Sequence, residues 1–315
     1  MHLYVLKRLI AIVPVLIGLT VIVFCIMALI PGDPATAILG SYATPENVAK
    51  LNRDLGLDRS LPEQYFIWLG NMFQGDFGRS YSLNRPVIDE VLERFSATLI
   101  LAGAALVLCT VWGLLIGIWT AARQYGWTDK ILTFTVLVGI SVPSFWLGLL
   151  LILLFSVELR WLPASGMYAI YGGGDLPDLL RHLAMPAVTL SVVATGVIAR
   201  LTRSAMLEVL RQDFIRTARA KGVPESRVIY RHAFKAALVS VIPIIGVQAG
   251  FVLGGAVYIE TVFQWPGVGR MLVQAISTRD ILLVQGGVVV VAGSYVLFNL
   301  LADLAQSWLD PRVKS

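Results

Sequence analysis

The sequence predicts an all-α membrane protein with six transmembrane helices and both termini on the inner side (N-in/C-in). Three observations predict it. Of 315 residues, 57% are hydrophobic and only 14% are charged, whereas a soluble globular chain carries about 25% charged residues. The charges are gathered into short stretches, leaving uncharged runs at 9–32, 95–122, 131–157, 183–199, 236–259 and 281–302. A spanning helix needs about 20 apolar residues, and backbone in lipid must satisfy its own hydrogen bonds, which selects helices over open strands. The cations also sort by side. With the N-terminus inside, fifteen of the 25 Lys and Arg fall in inner segments. Six of the ten others lie in the long segment 31–95, which the positive-inside rule discounts.

The first run follows Lys7 and Arg8 and ends in Leu-Ile-Pro-Gly-Asp-Pro without a small-residue cleavage site. It reads as a retained helix over 1–32 rather than a secretory signal. Residues 33–94 form a large external insertion. There Thr44-Pro45-Glu46 is an N-cap followed by Pro at N1, and Gly56 stops that helix. A second external helix starts near Pro62. Its Tyr65, Trp68, Leu69, Met72 and Phe73 recur at helical spacing, so this face packs on the bundle or lies in the headgroup zone. The core covers 95–305, and 306–315 is an inner tail. The fourth run has 17 residues, and Arg200 and Arg203 lengthen it by snorkelling to the interface. Pro143, Pro186 and Pro243 fall in the third, fourth and fifth runs and can kink them. Gly113, Gly117 and Ala121 form one small-residue ridge, and Gly246, Gly250 and Gly254 another. Such ridges let helices approach closely.

No uncharged run carries the carboxylates or histidines expected of a proton-coupled carrier. Ser141, Ser144, Thr189, Thr195, Gln248, Ser294 and Asn299 are the mild polar groups left; each lines a pathway or bonds a neighbouring helix. Cys25 and Cys109 sit in apolar runs as packing residues. His2, His182 and His232 have no metal-ligand spacing. No Gly-rich phosphate loop occurs anywhere, so any ATP-driven work belongs to another chain. Between the last two runs, Glu260 to Asp280 is rich in Gly and aromatics. It reads as a loop that dips toward the pathway or as a surface turn.

The longest polar interruption of the second half is Glu208 to Leu238, within an inner loop at 207–236. It carries Arg211, Arg216, Arg219, Lys221, Arg227, Arg231 and Lys235 against Glu208, Asp213 and Glu225. It reads as two short helices broken at Gly222, which suits a C′ position with positive φ. Arg219 and Lys221 fall in the last turn of the first helix, where cations complement the dipole, and Pro224 suits N1 of the second. A compact cationic knob of this kind fits a groove on a partner; the alternative is a solvated loop whose charges enforce topology.

Met206-Leu-Glu-Val-Leu210 followed by Thr217-Ala-Arg-Ala-Lys-Gly222 resembles the EAA loop of ABC-importer permeases. The similarity is to the dipeptide/oligopeptide/nickel family, and to its first, or B-type, subunit. Ile30-Pro-Gly-Asp-Pro34, Gly75-Asp-Phe-Gly78, Ile140-Ser-Val-Pro-Ser-Phe-Trp146, Trp161-Leu-Pro-Ala-Ser-Gly166, Ala199-Arg-Leu-Thr-Arg203, the 260–270 segment and Leu309-Asp-Pro-Arg312 extend it in order along the chain. The resemblance implies a type I ABC importer transmembrane fold in the bacterial inner membrane. It implies a second homologous permease subunit, two cytoplasmic ABC ATPases that use ATP and Mg, an external binding protein and no nucleic acid. Glu208, Asp213, Thr217, Ala218, Arg219, Ala220, Lys221 and Gly222 would couple to the ATPase. Ser141, Ser144, Gln248, Trp265, Gly267, Arg279 and Asp280 are the candidate pathway or gate residues. The cargo would be a peptide, glutathione, nickel chelate or oligosaccharide. Two positions depart from the family pattern: Ser240 with Pro243 displaced beyond it, and Pro224 where a capping Ser is common. A carrier or channel working without ATPases is the alternative, disfavoured by the missing intramembrane charge. A DNA-binding regulator is improbable with both ends of the loop tethered to the membrane.

Overall fold

A computed structural model describes residues 2–29, 34–54 and 56–309. The described residues are helical, joined by turns. The elements are α1 (His2–Leu29), α2 (Pro34–Leu39), α3 (Pro45–Asp54), α4 (Leu61–Phe73), α5 (Val87–Ala122), α6 (Trp127–Ser141), α7 (Ser144–Leu151), α8 (Leu176–Leu210), α9 (Asp213–Ala220), α10 (Glu225–Arg227), α11 (Phe234–Val262), α12 (Val268–Ser277) and α13 (Ile281–Leu309). Among the described residues, five helical stretches are long and apolar enough to cross a membrane: α1, α5, α8, α10–α11 as one stretch, and α13.

The third uncharged run is not one straight helix. It divides into α6 and α7, which meet at 104°; a sixth span exists if the bent pair is counted as one. The cause is Pro143. It has no N–H to give, and it drives the preceding residue out of the helical region. Val142 accordingly sits at φ −79°, ψ 127°. Beyond Leu151 the chain continues as a wider π-helix over Ile152–Glu158. By contrast α8 runs on through Pro186 and α11 through Pro243, as helices packed by neighbours in a membrane can.

The chain divides into two compact units. The first comprises 98–265 and, at the end of the described chain, 297–309. Its centre is α8, with 67% of its most apolar window buried against 17–39% in the other four spans. Helices α6, α7 and α11 pack against it. The first small-residue ridge faces it too. A Cβ on Gly117 would lie 2.5 Å from Thr202 Cβ and 2.7 Å from the Ala199 carbonyl oxygen, and one on Gly113 would lie 2.7 Å from Ile198. These glycines are contact surface for α8. In the second ridge Gly250 is buried, while Gly254 has nothing within 4 Å of a Cβ.

The second unit comprises 2–97 and 266–296. Its core holds Met27, Val87, Val91, Val268, Met271 and Leu283. The external helices start as their sequence signals direct. Thr44 Oγ1 accepts from Asn47 N–H at 3.3 Å, Glu63 reaches back to Ser60 N–H at 3.3 Å, and Gly56 ends α3 at φ +68°. The aromatic face of α4 packs on α1. Tyr65 and Trp68 lie 5.5 and 6.2 Å from Phe24, and Thr20 and Tyr65 hydroxyls are 3.0 Å apart. Phe73, read with that face, is instead exposed, as is Phe66. The motif residues 30–33 and 310–312, and the tail beyond Leu309, lie outside the described residues.

Candidate functional site

The 207–236 loop departs from two independent short helices. The last turn of α8 closes at Arg211, whose N–H meets the Glu208 carbonyl at 3.3 Å. Gln212 then turns to φ −74°, ψ 153° and α9 begins. Asp213 in the first turn and Arg219 in the last complement its dipole. An eight-residue helix is too short to persist alone in water, so something must pin it. Ile215 does: it is fully buried among Ile118 and Ala121 of α5, Met206 and Val209 of α8, and Val228 and Ala233 beyond the turn. The other face is open, with Asp213, Phe214, Arg216, Thr217, Arg219 and Ala220 exposed and Ala218 half-buried.

The turn after α9 is a Schellman closure. Gly222 N–H donates to the Arg219 carbonyl at 2.9 Å and Val223 N–H to the Ala218 carbonyl at 3.2 Å. Gly222 takes φ +75°, as its sequence position requires, and a Cβ there would meet open space. Arg219 and Glu225 then bridge the turn in a two-pronged ion pair at 3.1 and 2.6 Å. Glu225 keeps the Arg219 guanidinium protonated beyond its usual range. Both side chains are about half exposed, so the pair contributes on the order of 1 kcal/mol or less; it sets an angle more than it adds stability.

Two expectations are corrected here. Pro224 is the N-cap of α10, at ψ 141°, rather than its first helical residue. The second arm is not a separate short helix either. Residues 225–262 form one 38-residue helical stretch, passing through a π-helical segment at Val228–Ala233. In a π-helix residues five apart share a face, so Val228 and Ala233 both reach the core that holds Ile215. The start of the fifth span therefore lies well before Ser240, and Pro243 sits inside it. Glu208, the remaining coupling candidate, is an exposed residue on the last turns of α8.

The pathway candidates fall into two groups. In the first unit, Ser144 and Gln248 line one cavity of about 950 Å³ between α7, α8 and α11, walled by Phe145, Leu190, Val247 and Phe251. Gln248 is 7% exposed and its amide has no hydrogen-bond partner among the described residues. The other polar candidates bond their own helix: Ser141 to Leu137, Thr189 to Met185, Thr195 to Ser191 and Ser294 to Val290, at 2.6–2.9 Å. Trp265 is fully buried, its N–H on the Glu260 carbonyl at 2.8 Å. With Phe263 also buried, the segment is no surface turn. In the second unit, Gly267 caps α12, a helix where the sequence suggested a loop. Arg279 is exposed at φ +56°. Asp280 is a staple: it accepts from Ser80 Oγ at 2.5 Å, Ser82 Oγ at 2.8 Å, Ser82 N–H at 3.0 Å and Leu283 N–H at 3.2 Å. It ties the 79–86 turn to the start of α13.

Sequence reasoning missed three buried carboxylates, the first being Glu90 of α5, which pairs with Arg85 at 2.8 Å and Arg94 at 2.7 Å. Asp129 of α6 takes both prongs of Arg203 of α8, at 3.1 and 2.9 Å, plus the Tyr125 N–H. Arg203 therefore pairs inside the bundle instead of snorkelling. Glu260 is fully buried at the end of α11 and accepts from Thr98 Oγ1 at 2.6 Å. For the last two, the signal available was an acidic residue flanking an apolar run.

The chain as a whole is similar to known proteins. The chain is 41% identical to the dipeptide transport system permease protein DppB of Alkalihalophilus pseudofirmus, over 99% of both chains. It is 39% identical to the glutathione transport system permease protein GsiC of Pectobacterium atrosepticum, over 99% of this chain and 98% of that one. Its fold matches a chain of the MetNI methionine ABC transporter solved in inward-facing conformations, at a TM-score of 0.57 and 16% identity over 71% of this chain and 97% of that one. Residues 1–102 match the N-terminal family of binding-protein-dependent transport membrane components. Residues 113–315 match the family described as "Binding-protein-dependent transport system inner membrane component". The chain belongs to that family: it is a multi-pass inner-membrane permease component of a binding-protein-dependent ABC transport system.

Proposed function

We propose that this permease subunit imports short peptides, and that α9 with its Gly222 turn docks in a groove of a cytoplasmic ATPase. The observation that carries the docking is the two-faced construction of α9. One apolar side chain, Ile215, is sealed in the bundle, while Arg216, Arg219, Ala220 and Lys221 are exposed around a turn fixed by two backbone bonds. A solvated topology loop has no need of such an anchor. The peptide reading is supported by the full-length similarity to dipeptide and glutathione permeases.

In this reading a second homologous subunit completes the membrane unit, and an external binding protein delivers cargo to the 33–94 and 260–280 segments. Two ATPase subunits bind ATP and Mg. Their closure moves α9, and the membrane helices pass between inward- and outward-facing states. Ser144 and Gln248 would contact cargo in a cavity whose walls are otherwise apolar, which suits brief passage of varied side chains. The test is a cysteine at Ala220 in the assembled transporter. Cross-linking to the ATPase subunit is expected, with a yield that changes with nucleotide. No cross-link from Ala220 or Lys221 in an actively transporting complex would overturn the docking.

A further inference from the structure

The second unit holds a cavity of about 400 Å³ that the coupling and pathway residues do not use. It lies between α1, the α3–α4 segment, the 76–81 turn and the start of α13. Its size falls in the range of small-molecule sites. Phe24, Trp68 and Phe77 give it aromatic walls. Gln285 also lines it, is 3% exposed, and has no side-chain hydrogen-bond partner among the described residues. Its amide therefore opens onto the cavity and is available to a ligand. The exposed part of the lining carries opposite charges: Arg53 and Arg59 against Asp76.

The Gly75-Asp-Phe-Gly78 segment builds one wall. Gly78 adopts φ +76°, and a Cβ there would lie 2.8 Å from Leu282. Asp76 spends Oδ1 on the Gly78 N–H at 2.8 Å, and no bond from the described residues holds its other oxygen. That oxygen is an acceptor for an ammonium group, and the guanidinium of Arg59 is a donor for a carboxylate. The aromatic walls suit an apolar side chain, and the Gln285 amide can pair with a peptide bond, which offers both a donor and an acceptor.

We propose that this cavity is a binding site for a short zwitterionic peptide on the external side of the permease, distinct from the cavity at Gln248. The inference rests on the peptide-import reading and on the N-in orientation. Asp76 takes the amino terminus, Arg53 and Arg59 take the carboxyl terminus, and Gln285 reads the peptide bond.

The experiment uses the complete transporter in lipid nanodiscs without its binding protein, with the dipeptide alanyl-phenylalanine as probe. Saturable binding is expected. Gln285→Met keeps the side-chain shape and removes the amide; it should weaken binding about fivefold, the value of one neutral hydrogen bond. It should not lower the thermal midpoint of the unliganded protein, because no described residue hydrogen-bonds that amide. Asp76→Asn should erase the preference for the free over the N-acetylated dipeptide. Import of the same dipeptide, measured with binding protein added, separates the two readings. Import without saturable binding, or binding unchanged in both variants, overturns the cavity assignment alone. No import overturns the peptide reading beneath it. A lower midpoint for Gln285→Met makes the residue structural and overturns the site.

Discussion

Replacing Ile215 with Ala should release α9 without unfolding the chain. Ile215 is the fully buried residue of an eight-residue helix. Ile→Ala truncations in packed cores cost about 2–5 kcal/mol. A helix of this length has almost no stability of its own, so the loss falls on the local docking equilibrium rather than on the long helices around it. Taking about 3 kcal/mol, the detached fraction rises by roughly two orders of magnitude, since 1.4 kcal/mol is tenfold. Amide exchange at 215–222 should therefore accelerate about a hundredfold, while exchange in α8 and α11 changes little. Ile215→Val, at about 0.5–1.5 kcal/mol, should give an intermediate rate. Peptide uptake should fall in the same order, with ATP hydrolysis by the complex no longer responding to loaded binding protein. Exchange within threefold of wild type in Ile215→Ala would show that the polar face and the Arg219–Glu225 bridge hold α9, and would refute the single-anchor argument.

Three further outcomes are expected. Gly222→Val meets no neighbour but forces a branched side chain to φ +75°, costing about 1–2 kcal/mol or more; membrane insertion should be normal and uptake lost, and wild-type uptake would remove the turn from coupling. Arg203→Leu strands Asp129, whose side chain is 6% exposed; breaking a buried pair costs about 3–5 kcal/mol, and the 29% exposure of Arg203 favours the lower end. A clear drop in the detergent melting midpoint, relieved by Asp129→Asn in the same chain, checks it. Gly117→Ala drives a methyl against the Ala199 carbonyl oxygen, which no rotamer can move aside; it should lower that midpoint, whereas Gly254→Ala, opening onto free space, should leave it unchanged.

What the sequence made legible was whatever is local or periodic. Apolar runs located the spans, and Gly222, Gly56 and Thr44 announced their own backbone roles because a positive φ or an N-cap is decided within a few residues. The break at Pro143 was half legible. Pro143, Pro186 and Pro243 look alike in sequence, yet only at Pro143 does the chain turn by 104°, because the packing of α8 and α11 carries their prolines through. Pairings across the sequence left almost no trace. Arg203 and Asp129 are 74 positions apart and Thr98 and Glu260 are 162 apart. Asp129, Arg203 and Glu260 lie at or near the ends of apolar runs, where a charge reads equally well as a solvated end. Asp280 was singled out as a gate because the resemblance puts the 260–280 segment at the pathway; only the 79–82 turn shows that its oxygens are already occupied.

The fusion of α10 with α11 changes what coupling requires mechanically. A loop of two free short helices would dissipate any push from a partner. Here the residue after the turn, Glu225, begins a helical stretch that runs without a break to Val262. At 1.5 Å per residue, Glu225 to Gln248 spans about 35 Å. The Arg219–Glu225 bridge fastens α9 to the start of that stretch, and Ile215 and Val228 share one core. A displacement of α9 is therefore a displacement of α11, and α11 carries Pro243 and Gln248 along the wall of the large cavity. The compliant points are the π segment at 228–233 and Pro243, which lacks a backbone N–H. Under the proposed coupling, a push on α9 travels along this stretch and bends it at those two points. Transmission then needs no chain of side-chain rearrangements between α9 and the cavity, only that the helix between them keep its hydrogen bonds.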